Sequence, residues 1–118
     1  MTLFRAVPLA IHGVLEVLAA TALIVAPFVL GFGYAAGAAS FALGTMLMGL
    51  ALWTHGEQRS VPLSAHAGLD YLIGGLALIA GLAVALDSAP VVATVFLVGF
   101  GAAHVALTAS TRFSIRGA

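Results

Sequence analysis

Two residue pairs in this chain have a spacing that could do chemistry: His12 with Glu16, and His66 with Asp70. Members of each pair are four residues apart, so on a helix both side chains share one face. His104 adds a fifth ionisable group in another apolar segment. Imidazoles and carboxylates together can hold a transition metal, relay protons, or fix helix register through hydrogen bonds. Two imidazoles on facing helices can also clamp haem iron. His66 with His104, or His12 with His66, would then be the axial ligands. The chain has no cysteine, so such a haem would be a non-covalent haem b. A bare transition metal would draw on His12, His66, His104 and a carboxylate.

The elements that must position these residues follow from composition. Of 118 residues, 63% are hydrophobic and 7% charged, against about a quarter charged in a soluble domain. Four arginines, four acids and no lysine cannot cover a water-facing surface. Lipid is the expected solvent and partner. The missing basic clusters also argue against nucleic-acid binding. Without cysteine there are no disulfides, thiolate nucleophiles or Cys-type zinc sites.

Apolar runs fall at about 8–30, 36–54, 65–87 and 90–110, each close to the roughly 20 residues that cross a bilayer core. Gly31-Phe32-Gly33, the segment His55 to Ser60, and Asp87-Ser88-Ala89-Pro90 punctuate them. The runs lack period-2 alternation, which predicts helices rather than barrel strands. The expected fold is a single all-α membrane domain over 1–118, built as two tandem helical hairpins in a four-helix bundle. His12 and Glu16 sit poorly in a leader's apolar core, so the first run is read as a retained span.

Arg5, Arg59, Arg112 and Arg116 all fall on one side of this arrangement. The positive-inside rule then predicts cytoplasmic termini in the cell's inner (plasma) membrane. Tyr34 and Trp53 are expected as interface anchors, and His55, beside Glu57 and Arg59, as a solvated loop residue.

A shift of 54 residues lays the second hairpin (about 65–110) on the first (about 8–54) without a gap. His12 falls on His66, Glu16 on Asp70, Leu15 on Leu69, Leu18 on Leu72, Ala39 on Ala93, Leu43 on Leu97 and Thr54 on Thr108. This register predicts an internal duplication whose halves are related by an axis along the membrane normal.

In the first hairpin, Leu23 to Phe32 resembles the SPW-repeat family of small bacterial membrane proteins. That family places Ser-Pro-Trp late in the first helix of a two-helix unit, often with a following Leu-Gly step. Here the triplet is Ala26-Pro27-Phe28, followed by Leu30-Gly31, and the second hairpin has Ala80-Gly81-Leu82 at the equivalent place. The resemblance implies a small polytopic membrane protein and brings no biochemical activity with it. Physically, Pro27 should kink or end the first helix near the outer surface.

Small residues spaced four apart (Ala35/Ala39, Ala38/Ala42, Ala77/Gly81, Gly99/Ala103, Ala102/Ala106), with Gly44, Gly49, Gly68, Gly74 and Gly75, predict close helix packing. They also suit a homo-oligomer or a larger complex. Counting about 1.5 Å per residue inward, Glu16, Asp70 and His104 reach similar depths of roughly 6–12 Å. They are expected to form a buried polar cluster, with His12 and His66 one turn shallower near the headgroups. Thr21 or Thr45 could share its hydrogen bonds. The outer half offers few polar residues, which argues against ion passage.

Neither a positioned oxyanion donor set nor a substrate domain accompanies Ser60, Ser64 and His66, so catalysis is not expected. The first expectation is a non-catalytic scaffold or accessory subunit without a cofactor. The alternative is a haem- or metal-binding bundle using His12, His66 and His104 in the cytoplasmic half.

Overall fold

The computed structural model describes residues 6–55 and 62–113, the side chain of His55 excepted. Arg5, Glu57, Arg59, Ser60 and Arg116 lie outside the described residues. Four helices follow in order: α1 (Leu9–Leu30), α2 (Tyr34–His55), α3 (Leu63–Leu86) and α4 (Val91–Ala109). Their ends differ from the expected spans by no more than two residues. At 19 to 24 residues they run about 28–36 Å, and all four are long and apolar enough to cross a membrane. Large apolar side chains including Ile11, Leu18, Phe28, Val29, Ile79, Leu86, Val91 and Val95 point outward. Water would not tolerate that girdle; lipid does. The chain is an all-α, multi-pass membrane protein.

Prolines open three of the helices. Pro8, Pro62 and Pro90 stand at the N-caps in extended conformation, where a pre-set φ and a missing N–H cost nothing. The carbonyls of Pro8 and Pro62 accept the first helical bonds from the N–H groups of His12 and His66, at 3.0 and 2.9 Å. The two histidines are thereby fixed in the first turn of their helices.

Pro27 lies inside α1, which continues to Leu30 and then stops at Gly31 in the left-handed region (φ 66°). The N–H groups of Gly31 and Phe32 both turn back to the Pro27 carbonyl, a glycine C-cap. A Cβ on Gly31 would meet nothing within 4 Å, so only backbone strain opposes a side chain there. Gly31→Ala is expected to cost about 1 kcal/mol, read from reversible unfolding in mixed micelles.

α1 packs chiefly on α2 and α3 on α4; α2 also runs along α3, while α1 has little backbone contact with either helix of the second hairpin. Within each hairpin, glycines let the backbones close. A Cβ on Gly44 would fall 2.8 Å from Leu23 Cβ and 3.0 Å from the Ala20 carbonyl; one on Gly101 would fall 2.8 Å from the Gly74 carbonyl. Gly74 and Gly81 are similarly tight against Val105 and Val98. Gly68, Gly75 and Gly99 meet nothing within 4 Å and do not belong to these seams. Ser40 adds a buried hydrogen bond from its hydroxyl to the Leu23 carbonyl, 2.7 Å.

The core, including Ala20, Leu23, Leu47, Ile73, Ala77, Ala93 and Leu97, fills the middle of the bundle. Phe32 and Phe96 close the end of the bundle nearest the Gly31 turn, their ring centroids 5.4 Å apart. Tyr34 and Trp53, at opposite ends of α2, are both exposed, as interface anchors require.

Candidate metal centre

All five ionisable residues singled out in the sequence come together at the end of the bundle where α1 begins and α4 ends. His12, Glu16, His66 and Asp70 are fully buried, and His104 nearly so. His12 and His66, expected one turn shallower than the cluster, are at its centre. Chain beyond the helix ends covers them, and a depth count along isolated helices omits that cover.

Helix α1 presents His12 and Glu16 from successive turns, and α3 presents His66 and Asp70 in the same way. His12 Nε2 lies 2.6 Å from Glu16 Oε2 and 2.9 Å from Asp70 Oδ2. His66 Nε2 lies 2.9 Å from each of the same two oxygens. Two nitrogens and two oxygens thus alternate around a four-membered ring, each helix supplying one of each. The cross-helix contacts are reciprocal: His12 reaches Asp70, and His66 reaches Glu16. That reciprocity follows the 54-residue register, in which Leu15/Leu69 and Leu18/Leu72 are also alike in exposure, and Thr54/Thr108 alike in burial.

His104 stands outside the ring. Its Nε2–H donates to Asp70 Oδ1 at 3.1 Å, and its ring stacks on Phe100 with centroids 5.2 Å apart. Asp70 therefore touches three imidazoles, while Glu16 meets the cluster through His12 and His66. Thr21 and Thr45 do not join; each donates to the carbonyl four residues back in its own helix.

Thr111 takes the place expected of them. Its hydroxyl donates to the Leu107 carbonyl at 2.6 Å and lies 2.8 Å from His12 Nδ1. A hydroxyl has one hydrogen, so toward His12 the Thr111 oxygen can only accept. Nδ1 must carry the proton, and a neutral His12 then directs the Nε2 lone pair at two carboxylate oxygens. Thr111 is held there by a parallel bridge to Val7. The bridge comprises the bonds Val7 N–H to Ser110 O and Arg112 N–H to Val7 O, both 2.9 Å. Phe113 lays its ring against His12 and His66, with centroids at 5.1 and 5.8 Å. Sequence reasoning missed Thr111, Val7 and Phe113, because outside a helix no periodicity assigns them a face.

No family model, no curated protein and no solved structure matches this chain.

Chemically, the ring is overdetermined as a set of hydrogen bonds. Each Nε2 has at most one hydrogen to offer, yet faces two oxygens at 2.9 Å or less. Two buried carboxylates also require positive charge beside them. Protonated imidazoles, a protonated carboxyl or a cation among the four atoms would each relieve this. The donor atoms lie within 4.8 Å of one another. A point equidistant from four atoms joined by edges of 2.6–2.9 Å would lie about 1.7–2.0 Å from each, between tetrahedral and planar pucker. Metal–nitrogen and metal–oxygen bonds are about 2.0–2.2 Å, so a few tenths of an ångström of expansion accommodates an ion.

Proposed function

We propose that this protein binds one divalent first-row transition-metal ion within the membrane, held by His12 Nε2, His66 Nε2, Glu16 Oε2 and Asp70 Oδ2. The observation that carries this reading is the alternation of two imidazole nitrogens and two carboxylate oxygens around one point, with the His12 proton drawn to its far side by Thr111. Two carboxylates, two neutral imidazoles and a divalent cation sum to zero charge, which suits a fully buried site. The imidazole held through its other nitrogen repeats the usual outer-shell arrangement of metal-binding histidines.

Imidazole and carboxylate donors suit zinc, iron(II), cobalt or nickel. Calcium wants six to eight oxygens and magnesium an oxygen octahedron, so both fit poorly. Four protein ligands make a closed set of the structural kind, without the open position of a catalytic centre. Its effect would be to tie α1 to α3, helices that otherwise hardly meet. The same contacts weigh against haem, since carboxylate oxygens occupy the space a porphyrin would need between the imidazoles. The apolar core beyond the site weighs against passage of ions through the bundle. The arginine bias supports a cytoplasmic position for the termini and the site.

The deciding experiment is titration of chelator-stripped protein in detergent with cobalt(II), followed by visible absorption and by elemental analysis after zinc loading. One equivalent bound with intense d–d bands, abolished in His66→Ala, is expected. A protein that stays spectrally silent and metal-free would leave the quartet as an ion-paired lock and sink the metal reading. Thr111→Val, which removes the acceptor for His12 Nδ1–H, should weaken binding by about 10–100-fold in the same titration.

A further inference from the structure

We infer that the strap formed by Val7 and residues 110–113 is the gate of this metal site, so that ions exchange by its opening at the end of the bundle where α1 begins and α4 ends. The inference rests on the metal reading above and adds the route and its control. Three observations support it.

The first is the closure of the opposite direction. One turn from Asp70 and His104, Gly74 and Gly101 bring α3 and α4 into backbone contact. Beyond them, buried Leu23, Ile73, Ala77 and Leu97 fill the bundle. Among the described residues, buried Ser40 on that path has its hydroxyl committed to the Leu23 carbonyl, so a hydrated ion meets few polar steps there, and the flanks of the helices face acyl chains.

The second is what lies over the ring at the other end. Among the described residues, the Phe113 ring touches both ligand imidazoles, and Thr111 is buried against His12. Neither residue belongs to a helix.

The third is how lightly that cover is held. Among the described residues, two backbone hydrogen bonds join the segment before α1 to the segment after α4, and Thr111 is further tied to α4 through the Leu107 and Thr108 carbonyls. A two-stranded pairing of this size is marginal alone, whereas the helices beneath it are held by long backbone hydrogen-bond ladders. Opening the strap would do two things at once. It would draw Phe113 off the imidazoles, and it would withdraw Thr111 from His12 Nδ1, freeing that ring to rotate and release its share of the ion.

Val7 makes the test selective, because its side chain is not among the ion's ligands and its amide supplies one of the two bridge bonds. Val7→Pro deletes that N–H, and Phe113→Ala removes the cover without touching the bridge. Both full-length variants would be loaded with cobalt(II) in micelles and mixed with excess chelator, the decay of the d–d bands giving the exchange rate. Helicity by circular dichroism and the equilibrium cobalt affinity are read on the same samples. Exchange at least tenfold faster in both variants is the expected result, with cobalt affinity within about threefold of the unmodified protein for Phe113→Ala and lowered no further than by Thr111→Val for Val7→Pro. Cobalt binding with unchanged exchange rates in both would overturn the gate and leave the metal site standing. No cobalt binding by the unmodified protein would overturn the metal reading and the gate with it.

Discussion

Asp70→Ala is expected to abolish metal binding and to destabilise the bundle by about 3–5 kcal/mol, the range for stripping one partner from a buried charge cluster. Asp70 is the residue that three imidazoles share, at 2.9, 2.9 and 3.1 Å. Its removal leaves His104 without the carboxylate oxygen that accepts its Nε2–H and leaves the ring with one negative charge. Asp70→Asn separates the two effects. The amide keeps the shape and one acceptor oxygen but surrenders the charge, so helicity should survive while cobalt affinity falls by at least a hundredfold. Steric-trap or denaturant unfolding in micelles measures the first quantity and the cobalt titration the second. An alanine variant as stable as the parent would show that the cluster contributes nothing to cohesion.

The second large effect is expected at Gly101. A Cβ there would fall 2.8 Å from the Gly74 carbonyl and 2.9 Å from the Leu78 amide nitrogen. Both are backbone atoms that cannot rotate aside, so α3 and α4 must separate. Overpacking of this kind costs about 1–3 kcal/mol and occasionally more. Gly101→Leu should exceed that range and should also pull His104 from Asp70, one turn away. Gly99→Leu is the control, since its Cβ would meet nothing within 4 Å and should leave stability within about 0.5 kcal/mol of the parent. Equal stability of the two variants would contradict the described seam.

Much of this molecule can be read from residue order. Apolar runs of bilayer length, broken by Gly, Pro and polar clusters, specify four helices and the short turns within each hairpin. The i, i+4 pairs His12/Glu16 and His66/Asp70 indicate one-sided polar faces, and a polar face in lipid must turn inward. What stays hidden is what lies outside regular structure or depends on a partner's shape. Thr111 occupies a short segment after α4, where no period assigns a face, and its role exists only because Val7 meets it across the bundle. The glycine seam has the same character. Gly99 and Gly101 are two residues apart on one helix, and only the ridges of α3 decide which of them faces a neighbour. Thr21 and Thr45 looked suitable as cluster partners by type, but a helix offers each a carbonyl one turn back, and both take it.

Because the ring draws one imidazole and one carboxylate from each hairpin, a single hairpin keeps its own i, i+4 pair but lacks the cross-helix half of the ring. A chain emerging into the bilayer with only its first two spans would carry His12 and Glu16 with no counterpart from α3. The second pair of spans must arrive before the cross-helix contacts can form. A chain lacking α3 keeps only the His12–Glu16 pair of α1, without the Asp70 and His66 atoms that close the ring.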